Sequence, residues 1–462
     1  MKIRILFWVS LALLLQAQLC ASAGRPNVVL ILADDLGYAD TGYTGCKDFE
    51  TPNIDRLAEN GIVCTNGYAS HPFCAPTRAG ILTGRNQHRF GFQENPGPKF
   101  SGFGLPETEI TLPELLSKAG YRNALVGKWH LGVEEKHHPL NRGFQEFFGF
   151  FPGGHDYHSS DPAETDIHSW THPLEHNGKS VAVEGYLTDQ LTDSAVEFIK
   201  SEKDSPFFLF MSYNAPHTPL QASEEYLNRV GDIEDPTLRI YAAMIVAMDD
   251  GIGKIMATLE QEGLLENTLV FFMSDNGGSP AAPSNNLPFR GVKGTALEGG
   301  IHVPYLVYWK GKLAPGTYDK PVVSYDVFST ALAIAGADMP DDRVIDSKNL
   351  LPYLSGENKE APHKHLFWQL ADLQWAIRSE SDKAINVAGE STYLFDMFTD
   401  LGESEDLSST KPQTVRSLEE TFHQWRQDLP EPTHKSDGIA DTPGVASRTQ
   451  QKALNDLRQT RK

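Results

Sequence analysis

The chain has 462 residues, 40% of them hydrophobic and 22% charged, enough for one large or two unequal domains around a substantial core. Its formal charge of −21 excludes nucleic acid as a partner, and it means that an anionic substrate must be drawn in by a local basic pocket. With four cysteines, no CxxC pair and no zinc-finger spacing, the sequence is neither a disulfide scaffold nor a zinc module.

Lys2 and Arg4, the apolar run Ile5 to Leu15 and the small-residue site Ala21-Ser22-Ala23 read as a signal peptide over residues 1–23. The protein is therefore expected to be exported, periplasmic or secreted. The run is too short to span a bilayer and no other stretch approaches a span, so no stable membrane insertion is expected. Asn27 to Ala33 is a continuous β-rich apolar run, the pattern of a strand buried on both faces, and Asp34-Asp35 follows at once. Thr51-Pro52 opens a short helix.

The stretch from His71 to Arg85 places Cys74 two residues before Pro76 and four before Arg78, at the start of a helix ended by Gly84. A helix N-terminus favours negative charge. Cys74 could be a low-pKa thiol there, or a small buried hydrophobe, the usual fate of a free Cys. Cys46 and Cys64 could pair in an oxidising compartment, but sequence does not show their geometry.

Thr111 and Glu114 form a capping box for a helix that Gly120 ends. Arg122 to Val126 is the next strand, with Gly127 to His130 as its loop. Residues 131–180, rich in Gly, Pro and His, read as loops over a site. Gly185 to Lys200 is helical by period, and Phe207 to Tyr213 is a strand ending in Asn214 to His217. Leu238 to Glu262 is a long helix, Thr268 to Ser274 a strand ending in Asp275-Asn276, and Val303 to Tyr308 one more strand.

Strands alternating with helices predict an α/β fold with a large, mostly parallel sheet flanked by helices, over residues 24–361. After Pro362, short strand-like runs and a helix from about Gln413 to Gln427 predict a smaller C-terminal α+β domain on an antiparallel sheet, residues 362–429. Residues 430–462 are polar and are expected to be a mobile tail. Four strands end in polar tips, at Asp34-Asp35, Lys128 to His130, His217 and Asp275-Asn276, and ligands of such sheets bind beyond the carboxyl ends of the strands. Asp34, Asp35, Asp275 and Asn276 are hard oxygen ligands with no soft ligand beside them, a set that suits Ca²⁺, with Mg²⁺ as the other option.

Cys74, Pro76, Arg78, Leu82, Thr83, Gly84 and Arg85 together resemble the sulfatase signature Cys/Ser-x-Pro-x-Arg, with Phe73 where a smaller aliphatic residue is common. AGYRNALVGKWHLG, residues 119–132, resembles the second sulfatase signature, with Asn123 where Ser or Thr is common. His217 in NAPHTPL and Lys293 in RGVKGTALEGGIHVP match further family blocks in order and spacing, and FDMFTDLGESEDL resembles the Asp-rich segment near the family's end. The resemblance covers roughly residues 26–310 well. It implies an alkaline-phosphatase-like fold and a formylglycine-dependent sulfatase, a sulfuric ester hydrolase; the polar and aromatic loops of an exported enzyme suit a sulfated glycan better than a small aryl ester as its substrate.

By that resemblance Cys74 is oxidised to formylglycine by a maturation enzyme, and the aldehyde's gem-diol attacks sulfur. The second hydroxyl then lets the sulfate ester collapse, an exit that a plain Ser ester lacks. Calcium held by Asp34, Asp35, Asp275, Asn276 and the modified Cys74 polarises the sulfate, and Lys128 and Lys293 bind its oxygens. Arg78 orients the gem-diol, His130 is the base for collapse, and His217, with Lys293, protonates the leaving oxygen. His155, with Asp156 to His158 and the loops to His176, is expected to contact substrate. Two other readings stay open here: a phosphate or phosphonate ester hydrolase of the same superfamily, and a non-catalytic binder of sulfated glycans with Cys74 unmodified.

Overall fold

The structure is a computed structural model and describes residues 24–97, 102–370, 374–387, 390–433, 448, 452 and 455–461; the expected signal peptide lies outside them. In chain order the strands are β1 Asn27–Ala33, β2 Ile62–Cys64, β3 Gly67–Tyr68, β4 Arg122–Lys128, β5 Glu146–Phe150, β6 Leu174–His176, β7 Lys179–Val181 and β8 Phe207–Ser212. They continue as β9 Thr268–Ser274, β10 Tyr305–Tyr308, β11 Gly316–Tyr318, β12 Val322–Val323, β13 Leu366–Leu370, β14 Gln374–Arg378, β15 Asp382–Val387 and β16 Tyr393–Asp396. The helices are α1 Pro52–Asn60, α2 Cys74–Thr83, α3 Leu112–Lys118, α4 Leu187–Ser201, α5 Glu224–Arg229, α6 Pro236–Gln261, α7 Glu298–Ile301, α8 Asp326–Ala335, α9 Leu351–Leu354 and α10 Pro412–Gln427.

Ten strands form one sheet in the order β11-β2-β10-β9-β1-β8-β4-β5-β6-β7, and the five central strands, β9 to β5, run parallel. The period of two along β1 builds both faces. Val29, Ile31 and Ala33 enter a core with Leu187 and Leu191 of α4 and Tyr241 and Ile245 of α6. Val28, Leu30 and Leu32 enter the opposite core with Ala79 and Leu82 of α2, Leu112 and Leu116 of α3, and Phe328 of α8. The α/β class read from the strand–helix alternation is thus the architecture observed. Strand β10 runs antiparallel to both β9 and β2, a direction that its apolar pattern does not encode.

The expectation of loops throughout 131–180 is corrected by β5, Glu146–Phe150, which pairs parallel with β4. Its run is short and contains Gly149, where a Cβ would strike the Gly127 carbonyl, so the same glycine that lets the strands approach hides the strand pattern. Cys46 and Cys64 are free. Within the stretch expected to be a mobile tail, described residues are anchored: the Thr433 amide donates to the Gly91 carbonyl, and Leu457 is buried in the cluster with Leu297 and Ile301. The other tail residues from 434 onward are mostly outside the described residues.

Strands β13 to β16 form the antiparallel sheet, with Leu418 and Phe422 of α10 on one face and Trp368, Ile385 and Phe395 toward the main body. A fully buried charge cluster joins the two. Lys383 Nζ lies 2.8 Å from Glu298 and 2.7 Å from Glu403, while Tyr68 Oη donates to Glu298. Burial, with Glu298 beside it, raises the Glu403 carboxyl to about 7, against the pull of Lys383. A carboxyl that binds its proton more tightly folded than unfolded favours folding at low pH, and that contribution is lost as pH rises through the folded value. Glu403→Gln is therefore expected to gain stability relative to wild type as pH rises from about 4.5 to about 7, and to hold that gain above it, read by urea unfolding. A difference that stays constant across that range would put the proton elsewhere.

Candidate active site

The carboxyl ends of β1, β4, β8 and β9 converge, because backbone pairing continues past the strands. The Asp34 amide donates to the Ala215 carbonyl, and the Asp275 amide to the Ala33 carbonyl. Asp35 and His130 both sit in the left-handed region, at φ 65° and φ 59°, without being glycine. Such strain collects at functional positions. Gly127 holds Lys128 at the tip of β4 in a conformation, φ 108°, where a Cβ would collide with the Ser212 carbonyl.

Cys74 is the first residue of α2, and the Ala75 amide behind it donates to Asn95 Oδ1 rather than to a local cap. Thr77 Oγ1 ties the first turn to the His71 carbonyl, and Gly84 ends the helix at φ 66°. Cys74 Sγ lies 3.1 Å from Lys293 Nζ and 3.9 Å from Asp35 Oδ1. Lys293 Nζ is also 2.6 Å from Asp35 Oδ1, and Lys128 Nζ is 2.5 Å from Asp34 Oδ2. Asn276 Nδ2 donates to Asp35 Oδ1 at 2.7 Å, and the Asp35 amide to Asp275 Oδ1 at 3.3 Å.

Two buried oxygens, Asp34 Oδ1 and Asn276 Oδ1, have no protein partner. Both lie in the group around Asp35 and Cys74, where a cation would take up such oxygens. Ligand atoms of Asp34, Asp35, Cys74 and His217 lie within 4.8 Å of one another. Carboxylate and amide oxygens in this number fit a hard divalent cation such as calcium.

Arg78 is fully buried, and both Asp275 and Cys74 are near enough to act on its charge. Its Nε and Nη2 donate to Asp275 Oδ2 at 3.0 and 2.8 Å, and its Nη1 to the Lys128 carbonyl at 3.0 Å and to Ser212 Oγ. Arg78 therefore holds a metal-ligand candidate and a strand tip in place. Ser212, the last residue of β8, is the partner that the sequence reading missed; a Ser ending the run Phe207 to Met211 was the available signal.

His155 corrects an expectation. It is buried, its ring nitrogens lie 2.7 Å from the carbonyls of Asp156 and His172, and it does not line the pocket. It ties the loop together instead. The pocket over Cys74 is about 230 Å³ and is walled by Asn95, His130, Gly153, His168, Trp170, His217 and Lys293, with Pro96, Gly97 and Pro152. Asn95 and Trp170 lie in loops with no periodic signal.

Burial pushes the Cys74 thiol up to about 12, with Asp275 and Asp34 adding to it and Lys128 and Lys293 opposing. Burial outweighs the two ammonium groups here, which runs against the low-pKa reading. Burial also lowers His217 to about 3 and His130 well below the usual imidazole value, with Lys128 and other cations adding to both. Both shifts favour the neutral ring. His217 Nδ1 donates to the Thr218 carbonyl at 2.6 Å, which leaves Nε2 as the free acceptor, 3.7 Å from Asp35. Lys293 keeps its charge: burial works against it, but Asp35 and the other acidic neighbours raise it well above the usual lysine value.

The comparisons with known proteins agree with this geometry. The family model described as Sulfatase matches residues 26–337. N-acetylgalactosamine-6-sulfatase of Mus musculus is 38% identical over 379 residues, 76% of this chain and 71% of that protein. The uncharacterized sulfatase YdeN of Escherichia coli (strain K12) is 33% identical over 412 residues, 77% of this chain and 70% of its own length. The crystal structure of Ps i-CgsB in complex with k-i-k-neocarrahexaose matches with a TM-score of 0.86 and 36% identity, covering 92% of this chain and 99% of that one.

Proposed function

The chain belongs to the sulfatase family of the alkaline-phosphatase-like superfamily and is a sulfuric ester hydrolase; from there we propose that it removes sulfate from a carbohydrate, using formylglycine made from Cys74 beside a calcium ion. The observation that carries this is the convergence of Asp34, Asp35, Asn276 and Lys128 on Cys74 and Lys293, two of the residues that line the pocket.

Cys74 Sγ stands where the reactive oxygens of the modified residue would be. A thiol whose ionisation is suppressed to about 12 has no evident work at neutral pH, whereas a hydrated aldehyde at that atom would supply a hydroxyl nucleophile and an internal route for sulfate to leave. Asp34, Asp35, Asp275 and Asn276, with position 74, would hold the ion, which would act as a Lewis acid on the ester.

The protein's own groups do the rest. Lys128 pairs with Asp34 and Lys293 with Asp35, and the two ammonium groups neutralise sulfate oxygens as charge spreads over them. His130 Nδ1 has no partner and belongs to a pocket-lining ring, so it can take a proton. His217 presents Nε2, and an anionic ester in the pocket raises its proton affinity, so that it carries the proton for the leaving oxygen. Arg78 acts through Asp275.

The saccharide reading draws on the relatives named for N-acetylgalactosamine 6-sulfate and on the structure holding k-i-k-neocarrahexaose. We place the catalytic domain at residues 24–361 and the smaller domain at 362–429. The leader suggests export to the periplasm or medium, after a formylglycine-generating enzyme has acted on the chain. Purified protein should release sulfate from N-acetylgalactosamine 6-sulfate or k-i-k-neocarrahexaose far faster than phosphate from matching phosphate esters. EDTA should abolish that release and Ca²⁺ or Mg²⁺ should restore it. Predominant phosphate release, or activity indifferent to chelation, would overturn the reading.

A further inference from the structure

Among the described residues five large hydrophobic side chains are exposed, and Trp170, at 40%, is the one of the five that lines the pocket holding Cys74. Its indole meets the His217 ring at 67°, with 5.7 Å between centroids. Gly154 makes room for this pair: a Cβ there would come within 3.2 Å of Trp170 Cε2 and 3.1 Å of His217 Nδ1.

The loop does not need the indole to keep its shape. The Trp170 carbonyl accepts from the Asp156 amide at 2.8 Å, and the Thr171 carbonyl from the Asp161 amide at 2.7 Å. Asp166 Oδ1 caps the His168 amide at 2.9 Å, and Ser169 Oγ pairs with Thr171 Oγ1 at 3.0 Å. The ring is therefore presented by backbone and short polar ties, with a large part of its apolar surface left in water. That costs hydrophobic free energy and marks a contact surface.

Lys293, His130 and His217 answer to the sulfate and the leaving oxygen, and none of them offers a flat apolar surface. A pyranose has such a surface, the axial C–H face of the ring, and an aromatic side chain with one wet edge is its natural counterpart. We propose that Trp170 is the stacking platform for the sugar ring that carries the sulfate ester, and hence a specificity-determining residue. This rests on the saccharide reading of the substrate given above.

The test compares Trp170→Ala and Trp170→Phe on N-acetylgalactosamine 6-sulfate and k-i-k-neocarrahexaose. Turnover is measured with the mature protein, and binding by calorimetry in a Cys74→Ala background, where nothing is hydrolysed. Trp170→Ala should raise KM and Kd roughly tenfold while kcat stays within about threefold, and Trp170→Phe should restore most of the loss. Unchanged KM and Kd overturn the platform. A fall in kcat at constant KM also overturns it and makes Trp170 a support for His217. If wild type releases sulfate from these saccharides and Trp170→Ala does so equally well, the platform alone fails. If wild type neither binds nor hydrolyses them, the saccharide reading fails and the platform with it.

Discussion

Cys74→Ala is expected to lower sulfate release by on the order of 10⁴-fold or more, the scale seen when a covalent nucleophile is removed. The fold should survive. Alanine keeps the Cβ, and the helix start is held by other groups, the Ala75 amide on Asn95 and Thr77 on the His71 carbonyl. Losing one small buried sulfur costs about 1 kcal/mol, so thermal unfolding should shift by only a few degrees. Cys74→Ser refines the test. A hydroxyl can attack sulfur once and release the alcohol, but it has no second hydroxyl to expel sulfate, so the expected yield is at most one desulfated alcohol per protein molecule, with the sulfate left as an ester on position 74 and none set free. Continuous turnover by Cys74→Ser would mean that the chemistry does not need an aldehyde.

Asp275→Ala should be the second largest loss, and it should hurt stability as well as activity. Asp275 and Arg78 are both fully buried and paired at 2.8 Å. Removing the carboxylate strands a guanidinium in the core, a change that costs about 3–5 kcal/mol. Asp275→Asn separates the two effects, because its amide oxygen still accepts from Arg78. That variant should keep most of the stability while losing on the order of 10²–10³ in turnover, together with a weaker calorimetric Ca²⁺ affinity. The Asp275 carboxyl is itself raised to about 6 by burial and by Asp34, against the pull of Arg78. Wild-type turnover and Ca²⁺ affinity in Asp275→Asn would remove this residue from the metal site.

Much of the site was legible because parallel strands announce their ends. An unbroken apolar run such as Asn27 to Ala33 stops abruptly at Asp34-Asp35, and Thr268 to Ser274 stops at Asp275-Asn276 in the same way. Cys74 was readable as a helix start from Pro76 and from the Gly84 stop, both local signals. What failed was long-range or tightly local. The partner of Arg78 lies 197 residues away, and no pattern in HPFCAPTR points to it. His155 looked like a pocket residue because its loop is polar, yet carbonyls of that same loop engage both ring nitrogens. Strand β5 was hidden by the glycine that lets it pair, and the docking of Leu457 depends on a cleft built from distant elements.

The charge cluster at Lys383 and the ligand set at Asp35 show the same economy of means at two places. In each, buried carboxylates are held beside ammonium groups, and one carboxyl is raised by burial while its neighbour stays charged. At Lys383 the cluster ties the small sheet to the main body. At Asp35 the cluster lies against Cys74 and Lys293, which line a pocket, and that access is what a functional site requires.

Mass spectrometry of the peptide spanning Cys74, taken from a preparation whose sulfate release has been measured, is the most direct test. The account predicts that the –CH2SH side chain is replaced by –CHO or its hydrate, in a fraction that rises with specific activity across preparations. A fully active preparation in which that peptide carries only the unmodified thiol would contradict it.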